Sequence, residues 1–487
     1  MKTRNTIVLA FLLATLTTWA QTAEDALRYS RIYYGGTARF NGLGGAFGAV
    51  GADFSTLATN PAGLGLYRGS EMTLTIAPHI GYSSTTYNGS SANDGRVNFG
   101  MGNFGVVFSI NTSNQYKSGI LKSINIGFGF NRQNDFNNRV VIHGINTENS
   151  LRQSYVNILN DDQTSPDYVQ DDYPFDIGLA YGTNLVFYNS ATKRYDCDPV
   201  NSGIFQDKTI NTHGSINEME FAFAANLADK VYVGFTLGVP TINYYENSYY
   251  KETSIDDTSN FILMKYDYLL HTRGTGVNVK LGMIYKPTTW FRIGASIHSP
   301  TWYPSMRDQW SSSMQSFFND STNWNQTMYS PDGYYDYCLR TPFRAMGSLA
   351  FIIGQYGLIS ADYEYVDYSQ ARFNSSQDNY STVNNDIKTS FRSWGNIRIG
   401  TEWRIQDFRL RGGFAYFSNP YVGNNNNSPR YQVSGGFGYR TGNFFTDVTY
   451  VWSKMQQAYY LYDATMVNPA EISIYNHTIS TSIGFRF

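Results

Sequence analysis

The sequence predicts an all-β fold: a transmembrane antiparallel β-barrel of about fourteen strands with an N-terminal plug, or hatch, in its lumen. Three observations predict it: the composition, a leader-like N-terminus and long segments of alternating apolar and polar residues. The 487 residues include 40 Tyr and 44 Gly but only 15% charged residues, well below the roughly 25% of soluble proteins. A barrel with a polar lumen and aromatic girdles is expected to have this composition.

The N-terminus has the features of a secretory signal peptide. Lys2 and Arg4 precede an apolar run at 7–16, and a small-residue cleavage site ends at Ala20. We expect residues 1–20 to be removed, so that the mature chain begins at Gln21. No later stretch has the ~20 consecutive apolar residues of a membrane helix, so a membrane-spanning mature chain has to cross with strands.

Residues 21–70 are predicted to form the plug, because a dense run of small residues spans 38–65 ahead of the first regular strand. Glycine and alanine at this density let backbone pack closely against backbone, which requires walls around the segment. We expect Asp53 to cap a short helical turn over 55–58 and Pro61 to end it, which leaves the Asn60 side chain free to bond nearby backbone. A phosphate-binding loop is disfavoured, since the glycines do not match G-x-G-x-x-G and no strand precedes them.

The order of residues in this segment resembles the hatch of a known family. Gly44-Gly45-Ala46, Ala52-Asp53-x-Ser55 and Asn60-Pro61-Ala62 are similar to the N-terminal hatch of the FadL-type outer-membrane transporters, which carry long-chain fatty acids and other hydrophobic molecules across the Gram-negative outer membrane. The resemblance implies a barrel filled by the hatch, whose movement opens a path for an apolar ligand. It places plug or gate residues at Gly44, Gly45, Asp53, Asn60, Pro61 and Ala62, and we assign ligand contacts to Phe40, Phe47 and Phe54 of the same segment.

Residues 71–487 are predicted to be the barrel, because most of this region alternates apolar and polar residues with a period of two. The expected strands cover 71–87, 96–110, 120–135, 214–228, 230–248, 270–286, 289–303, 338–353, 356–368, 391–405, 408–419, 430–441, 443–458 and 473–487. Short connections alternate with long ones, which places the short turns and both termini on the periplasmic side. The expected outer loops are 136–213, 249–269, 304–337, 369–390, 420–429 and 459–472.

The second predicted strand changes phase near Gly102 and Gly105, since its apolar residues change parity there. A one-residue slip implies a β-bulge. In the resembled family a kink in the barrel wall opens sideways to the bilayer and releases ligand there. An ordinary bulge that only adjusts curvature is the alternative.

Charged residues occupy many of the predicted inward positions, and half-buried charges have to be paired. We predict a network of salt bridges that holds plug and wall together, with guidance of a ligand carboxylate by one of the arginines as the alternative. The residues are Asp362, Glu364, Arg392, Arg398, Glu402, Arg404, Arg409, Arg411, Asp447 and Arg486.

The expected outer loop 304–337 contains Trp310, Met314, Phe317 and Phe318, whose spacing predicts one apolar face of a short amphipathic helix. In the resembled family, outer loops form a greasy surface groove that first captures the ligand. By position, these four residues are therefore candidate ligand contacts. The alternative is that the face packs on a neighbouring loop.

Enzymatic and cofactor chemistry has no support in the sequence, and we expect neither. The six His residues lack metal-ligand spacing, and no G-x-S-x-G motif lies at a strand-to-turn junction. A net charge of −2 gives no basic patch for nucleic acid. Cys197 and Cys338 both lie on the predicted outer side, where a disulfide and two free thiols are both compatible with the sequence.

These features favour transport of hydrophobic small molecules, such as long-chain fatty acids, by gated passive diffusion through a plugged barrel in the Gram-negative outer membrane. A FadL-like barrel that binds proteins at the cell surface, as a component of a secretion apparatus, is the alternative. The plug disfavours a general hydrophilic porin. We expect a monomer whose partners are the hydrophobic ligand, outer-membrane lipids and the machinery that assembles outer-membrane barrels.

The predicted last strand alternates a mostly apolar face with a polar one and ends in Phe487. Such an aromatic terminus resembles the signal that the assembly machinery of bacterial outer-membrane barrels reads. Deleting Phe487 is expected to lower the amount of folded barrel but barely to change the stability of the folded form, because a residue at the rim buries little surface. Heat-modifiable mobility on gels measures the folded fraction, and a normal folded fraction would remove the terminal-signal argument.

Overall fold

A single antiparallel sheet of 21 strands closes into a barrel in the computed structural model. The structure describes residues 21–111, 119–319, 325–376, 378–423 and 427–487, so the predicted signal peptide lies outside the described residues. The barrel closes where Glu71–Ile76 pairs with Ala470–Arg486, which joins the first strand to the last.

The described residues form seven α-helices, two 3₁₀ turns and 23 strands. The α-helices are α1 (Ala23–Ser30), α2 (Ala38–Gly42), α3 (Thr56–Thr59), α4 (Leu151–Asp161), α5 (Val169–Asp172), α6 (Ile177–Gly182) and α7 (Ser381–Ser390), and the 3₁₀ turns are Pro61–Leu66 and Tyr368–Gln370. The strands are β1 (Glu71–Ile76), β2 (His79–Tyr87), β3 (Ser90–Asn98), β4 (Met101–Asn111), β5 (Leu121–Asp135), β6 (Asn138–Asn146), β7 (Phe187–Asn189), β8 (Arg194–Asp196), β9 (Ile204–Leu227), β10 (Val231–Ser254), β11 (Phe261–Tyr285), β12 (Phe291–His298), β13 (Trp302–Phe318), β14 (Asn325–Tyr329), β15 (Gly333–Arg340), β16 (Arg344–Ile353), β17 (Gly357–Asp367), β18 (Arg372–Asn374), β19 (Ser393–Ile405), β20 (Phe408–Phe417), β21 (Arg430–Thr441), β22 (Phe444–Tyr459) and β23 (Ala470–Arg486).

Fourteen strands make up the barrel wall, several of them in two consecutive pieces. The two-piece strands are β1–β2, β3–β4, β5–β6, β12–β13 and β15–β16, and the continuous ones are β9, β10, β11, β17 and β19 to β23. Strands β14 and β18 add to the sheet beside the wall, and β7 and β8 pair only with each other. The predicted antiparallel barrel of about fourteen strands is therefore confirmed.

The wall strands expose apolar residues and bury polar ones. In β1 the exposed residues are Met72, Leu74 and Ile76, and the buried ones are Glu71, Thr73 and Thr75. The same pattern recurs in β23, where Ile479, Ile483 and Phe485 are exposed. Apolar outside and polar inside is the reverse of a soluble sheet, and it is the pattern of strands that face lipid on one side and a lumen on the other.

Two predicted outer loops are mostly strand. The hairpin of β10 and β11 occupies most of 249–269, and β13 to β15 occupy much of 304–337. Strands β9, β10 and β11 run for 24, 24 and 25 residues, far more than the roughly 9–11 residues that cross a membrane. The loop prediction is wrong here because each strand keeps a hydrogen-bonded neighbour well beyond the apolar belt.

The predicted loop 136–213 contains a folded unit, residues 147–203, which we term the outer cap. It comprises α4, α5, α6 and the β7–β8 hairpin. Cap residues such as Leu151 and Leu159 share one buried apolar cluster with wall residues such as Ile142 and Met264. The cap therefore packs on the end of the barrel opposite the short turns.

The barrel wall is interrupted at β3. Strand β4 pairs with β5, but in the described part of the chain β3 pairs only with β2. On the inner side of β2, the hydroxyls of Ser83 and Thr85 donate to the backbone carbonyls of Arg139 and Val141 in β6, at 2.7 and 2.6 Å. Strand β6 thus lies against the inner face of the β2–β3 hairpin, and overlap rather than a hydrogen-bond ladder closes the wall. The predicted β-bulge is confirmed at Gly102, which is the extra residue where the pairing of β4 with β1 shifts by one. It lies next to this break, which separates β3 from β4.

The N-terminal segment, residues 21–67, lies within the ring of strands. Helix α2 contacts β20 to β23, and the turn Pro61–Leu66 contacts β5 and β9 to β11. These strands belong to different sides of the barrel, so the segment spans the lumen between them. Wall glycines permit the close approach, since a Cβ added at Gly234 would lie 2.3 Å from the carbonyl carbon of Pro61.

Gly234→Ala is expected to destabilise the folded protein by about 1–3 kcal/mol, because the new methyl group collides with backbone that is held on all sides. Gly347→Ala is the matched control, since a Cβ there meets nothing within 4 Å. Thermal unfolding followed by heat-modifiable mobility measures both. Equal unfolding temperatures for the two variants would contradict the close packing of segment and wall.

Candidate functional site: a lumenal path beside the N-terminal segment

The backbone of the N-terminal segment is hydrogen-bonded to the wall on several sides. Thr449 Oγ1 donates to the Ala38 carbonyl at 2.6 Å, and Phe47 N and Gly48 N donate to Asp362 Oδ2 at 3.0 and 2.9 Å. Across the barrel, Asn125 Nδ2 donates to the Leu64 carbonyl at 2.7 Å. These bonds give buried peptide groups of the segment partners on the wall.

Asn60, Pro61 and Ala62 lie fully inside this packing. Asn60 Nδ2 donates to the Gly48 carbonyl at 2.6 Å and, across to the wall, to the Met283 carbonyl at 3.3 Å, while its Oδ1 accepts from Ala62 N at 3.1 Å. Helix α3 ends at Thr59, and Pro61 opens the 3₁₀ turn that follows. The prediction that Asn60 bonds nearby backbone is confirmed, because proline ends the helix and frees the side chain.

Asp53 caps the start of the predicted turn, since its Oδ1 accepts from Ser55 N at 3.0 Å and its carbonyl accepts from Thr56 N at 3.1 Å. The assigned helix α3 begins one residue later, after Ser55, which makes no cap bond of its own. Asp53 also accepts from the Thr37 hydroxyl at 2.9 Å, so it ties the start of α3 to the start of α2. The bond to Thr37 is long in sequence, which is why local cap rules did not find it.

Gly44 and Gly45 have φ angles of +62° and +79°, in the left-handed region that favours glycine. A Cβ at Gly44 would also lie 2.9 Å from Phe414 N in the wall. These glycines therefore allow the turn after α2 to touch the barrel.

Phe40, Phe47 and Phe54 are buried in the segment's own packing. The rings of Phe40 and Phe47 lie 5.4 Å apart, and Phe54 packs with Leu57 and Leu64. None of the three lines either cavity described below. Their assignment to ligand contact stays a prediction.

The predicted amphipathic helix in the outer region is wrong, because its four apolar residues lie on strand β13. These residues are Trp310, Met314, Phe317 and Phe318. Pairing with β11, in the register Leu270 to Trp310, imposes a two-residue period on this stretch. Met314 and Phe318 face the core beneath the outer cap, whereas Phe317 points to the other side of the strand with Lys265 over its ring. The four residues therefore do not form one apolar face.

Inward charges form three clusters. Glu402 accepts from Arg39 of the segment at 2.9 Å and from Arg411 at 2.9 Å, and Arg411 also pairs with Asp447 at 2.6 Å. The other two clusters are Arg344–Glu364–Arg398 and Glu218–Lys280–Glu220. Arg39 shows that the network joins segment and wall, as one alternative predicted.

Some predicted members of the network lie elsewhere. Arg486 pairs with Glu71 near the chain terminus at 2.8 Å, and the Arg392 guanidinium lies over the Trp394 ring. Arg404 is half exposed but belongs to the network, since its Nη2 lies 3.7 Å from Glu402 Oε1. The sequence analysis missed Arg39, Glu218, Glu220, Lys280 and Arg344. Strand periodicity marks the last four as inward, but only their partners show that they are paired.

Two adjacent cavities lie beside the segment. The upper cavity has a volume of about 750 Å³ and is lined partly by apolar residues such as Val140 and Ile472. Its charged lining comprises three arginines and three carboxylates, Arg28, Arg31, Arg430, Glu24, Asp135 and Glu246. The lower one, about 110 Å³, reaches Ala77, Gly102 and Arg132 at the wall break. Tyr33, His79, Asn134, Asp135, Arg430 and Asn476 line both. The cavities thus lead from the outer half of the lumen to the break.

The segment's Tyr33 and Tyr34 separate the two cavities from the charged clusters. The Arg430 guanidinium lies 4.1 Å from the Tyr33 ring centroid, and that of Arg398 lies 5.1 Å from the Tyr34 ring. Burial raises the pKa of Tyr34, so its phenol stays neutral. The sequence carries no local motif for this site, since its residues come together only when distant strands pair.

No group of three or more His, Cys, Asp or Glu side chains in the described residues is arranged to hold a metal. No helix within the described ranges is long and apolar enough to span a membrane. Cys197 and Cys338 are both free thiols.

An antiparallel barrel of fourteen strands with its own N-terminal segment in the lumen is the fold of the FadL-type barrels. Solved structures that the chain resembles include a Pseudomonas aeruginosa FadL homologue (TM-score 0.56, 11% identity, 93% of this chain and 98% of that one) and the Pseudomonas putida toluene transporter TodX (0.54, 12%, 93% and 99%). The CymD monoaromatic hydrocarbon channel matches with a TM-score of 0.50, 12% identity, and 93% and 98% coverage. No protein-family model and no curated protein matches the sequence. At these identities the likeness shows the fold.

Replacing Asn60 and Pro61 together by Ala is expected to loosen the segment and to produce channel openings, because the change removes the bonds to Gly48 and Met283 and the fixed bend. Single-channel conductance in planar bilayers measures this. Asn385→Ala, at an exposed position of α7, is the control. A double variant as silent as the wild type would count against a gating role.

Proposed function

We propose that this protein is a Gram-negative outer-membrane channel that passes hydrophobic small molecules by gated passive diffusion, with residues 21–70 as the plug. The observation that carries the proposal is the line of cavities from the outer half of the lumen to the break in the wall. The apolar outer belt of the strands supports a place in a bilayer. The solved structures that share the fold are described as a FadL homologue, a toluene transporter and a hydrocarbon channel, which supports transport rather than catalysis.

The upper cavity suits an apolar molecule with a polar or acidic end. Its apolar side chains offer an uncharged surface, and its volume of about 750 Å³ falls within the range of small-molecule sites. Arg31 and Arg430 lie at its polar side, and neither has a carboxylate within salt-bridge distance among the described residues. These two arginines are therefore the candidates to guide a ligand carboxylate, whereas the arginines of the lumenal clusters are already paired.

The break in the wall is the proposed exit. Strand β3 does not pair with β5, so residues 132–135 of β5 have no wall strand on that side. The Arg132 side chain crosses to Gly100, where an added Cβ would lie 2.2 Å from Arg132 Nη1. Arg132 is held by Asp135 at 2.8 Å. A side chain that can rotate, rather than a ladder of backbone bonds, thus fills the break, and release into the bilayer requires little rearrangement.

Opening is proposed to involve residues 31–36 rather than the whole plug. The hydrogen bonds of α2, of Asn60 and of the Pro61 turn reach strands all round the barrel, so removing the plug as one body breaks all of them. Residues 31–36 are extended and bond to the edge of the break through Tyr33 N to the Gln133 carbonyl and Gly35 N to the Arg132 carbonyl, both at 2.8 Å. Displacing this short stretch joins the two cavities and exposes the break.

The alternative, a surface protein-binding barrel in a secretion apparatus, has support from the long outer hairpins. They expose aromatic side chains such as Tyr329 and Tyr334. Such a protein has no need of a cavity that continues to the wall break. A monomer assembled by the outer-membrane barrel machinery among outer-membrane lipids completes the proposal.

Gly100→Leu is expected to lower uptake of both toluene and a long-chain fatty acid by about ten-fold or more, because the new side chain fills the break that both ligands have to pass. Gly435→Leu, at an exposed wall position where an added Cβ meets nothing within 4 Å, is the matched control. Uptake by cells that contain equal amounts of folded barrel is the measurement.

The two probes also separate ligand classes. If the wild type takes up only the fatty acid, guidance of a ligand carboxylate by Arg31 and Arg430 is supported. If it takes up only toluene, a neutral ligand is favoured. Unchanged uptake of both in Gly100→Leu would exclude the lateral exit, and no uptake of either in the wild type would favour the protein-binding alternative.

A further inference from the structure

The first residue of the predicted mature chain is buried in the outer half of the barrel. Gln21 is 2% exposed. Its Nε2 donates to Asp308 Oδ2 at 2.8 Å, and its Oε1 accepts from the Tyr380 hydroxyl at 2.5 Å. Chain termini are usually exposed and poorly ordered unless specific contacts hold them. The contacts of Gln21 therefore indicate a built site for this end of the chain.

Asp308 is a buried carboxylate among neutral donors. It is 3% exposed and accepts from Gln21, from Thr272 Oγ1 at 2.6 Å and from the Tyr337 hydroxyl at 3.2 Å. Within the described ranges no cationic side chain lies at salt-bridge distance from it. Arg28 pairs with Asp25, a second carboxylate near Asp308, and Arg307, next to Asp308 in the chain, pairs with Asp336 on the outer face. A buried charge without an opposite charge is costly.

We propose that the α-ammonium group formed by cleavage after Ala20 pairs with Asp308, and that Asp308, Thr272, Tyr337 and Tyr380 form a receptor for the mature N-terminus. The α-nitrogen belongs to the residue whose side chain already contacts Asp308, so the charge and the amide engage one carboxylate. Before cleavage the same nitrogen is a neutral peptide amide. The receptor is therefore selective for the processed chain, and it fixes the start of α1 and with it the upper end of the plug.

The receptor also has a chemical consequence for Gln21. An N-terminal glutamine cyclises when its α-amine attacks the side-chain Cδ and ammonia leaves, which gives a neutral lactam. The structure holds both ends of the side-chain amide, and the proposed ion pair holds the amine as a non-nucleophilic ammonium. Gln21 is therefore expected to remain uncyclised. This inference rests on the predicted cleavage site and is independent of the proposed transport.

A double-variant experiment on the full-length protein tests the pairing. An Asn inserted between Ala20 and Gln21 preserves the cleavage site and moves the ammonium by one residue, about 3.8 Å. Asp308→Asn removes the carboxylate charge with little change of shape. Each change is expected to speed unfolding of the folded barrel by at least about ten-fold. Because both remove the same ion pair, the double variant should unfold no faster than the faster single variant.

Asp336→Asn supplies the matched control. Asp336 lies in the neighbouring strand, but it pairs with Arg307 on the exposed face. The fold-increases in unfolding rate caused by Asp336→Asn and by the Asn insertion should therefore multiply when the two changes are combined. The proposal would be overturned if the increases in unfolding rate caused by Asp308→Asn and by the insertion multiplied in the double variant. It would also be overturned if the insertion left the unfolding rate unchanged. A mature chain that begins elsewhere than Gln21, or one that mass spectrometry shows to carry the lactam, would overturn it as well. None of these outcomes bears on uptake of hydrophobic probes, which tests the transport proposal separately.

The wild-type protein provides a second test in case Asp308→Asn does not fold. Labelling with an amine-reactive ester at a series of pH values reports when the α-amine loses its proton. In the folded barrel the midpoint should lie at least about one pH unit above the 7.7–8.0 of a free α-amine, because the carboxylate stabilises the ammonium form. A midpoint at the free value overturns the proposal.

Discussion

The structure depends on satisfying the backbone of an irregular segment inside a barrel. Residues 21–67 form only short helices and tight turns, so some of their peptide groups have no partner within the segment, and a buried unpaired peptide group is costly. The inward side chains of the wall supply those partners, among them Thr449, Asp362 and Asn125. This requirement explains why the strands carry hydroxyl, amide and carboxylate groups on their inner face, and why glycines such as Gly234 occur where backbone meets wall.

The same bonds determine how the lumen can open. A segment held from many sides behaves as part of the wall, and the paired charges around Glu402 add an interaction that is strong only while both partners stay buried together. Local displacement at residues 31–36 breaks far fewer bonds than expulsion of the segment. That stretch lies beside the break, where β3 and the end of β5 do not pair with each other. In the proposed mechanism, displacement of residues 31–36 at the break in the wall is therefore the opening that costs the fewest hydrogen bonds.

The outer half of the protein is more ordered than a set of surface loops. Long hairpins continue the wall, and the outer cap packs its apolar residues on them, so the end of the barrel carries a hydrophobic core of its own. The start of the N-terminal segment lies beneath this region and contacts it through Gln21 and α1. Folding of the outer half and packing of the N-terminal segment are therefore coupled, because apolar residues of α1 and of the outer half share one buried cluster.

The sequence by itself determined the class of fold, because a strand that separates lipid from lumen must alternate residues along its whole length, and this pattern is local. It also determined the place of the N-terminal segment and the bend at Pro61, since proline and glycine act on their own neighbours. Tertiary structure decided the rest. Pairing with β11 made a strand of the stretch from Trp310 to Phe318, although its spacing suits a helix. The overlap that closes the wall, the cavity beside Arg430 and the contact of Gln21 with Asp308 join residues far apart in the chain, and only the register of distant strands brings such residues together.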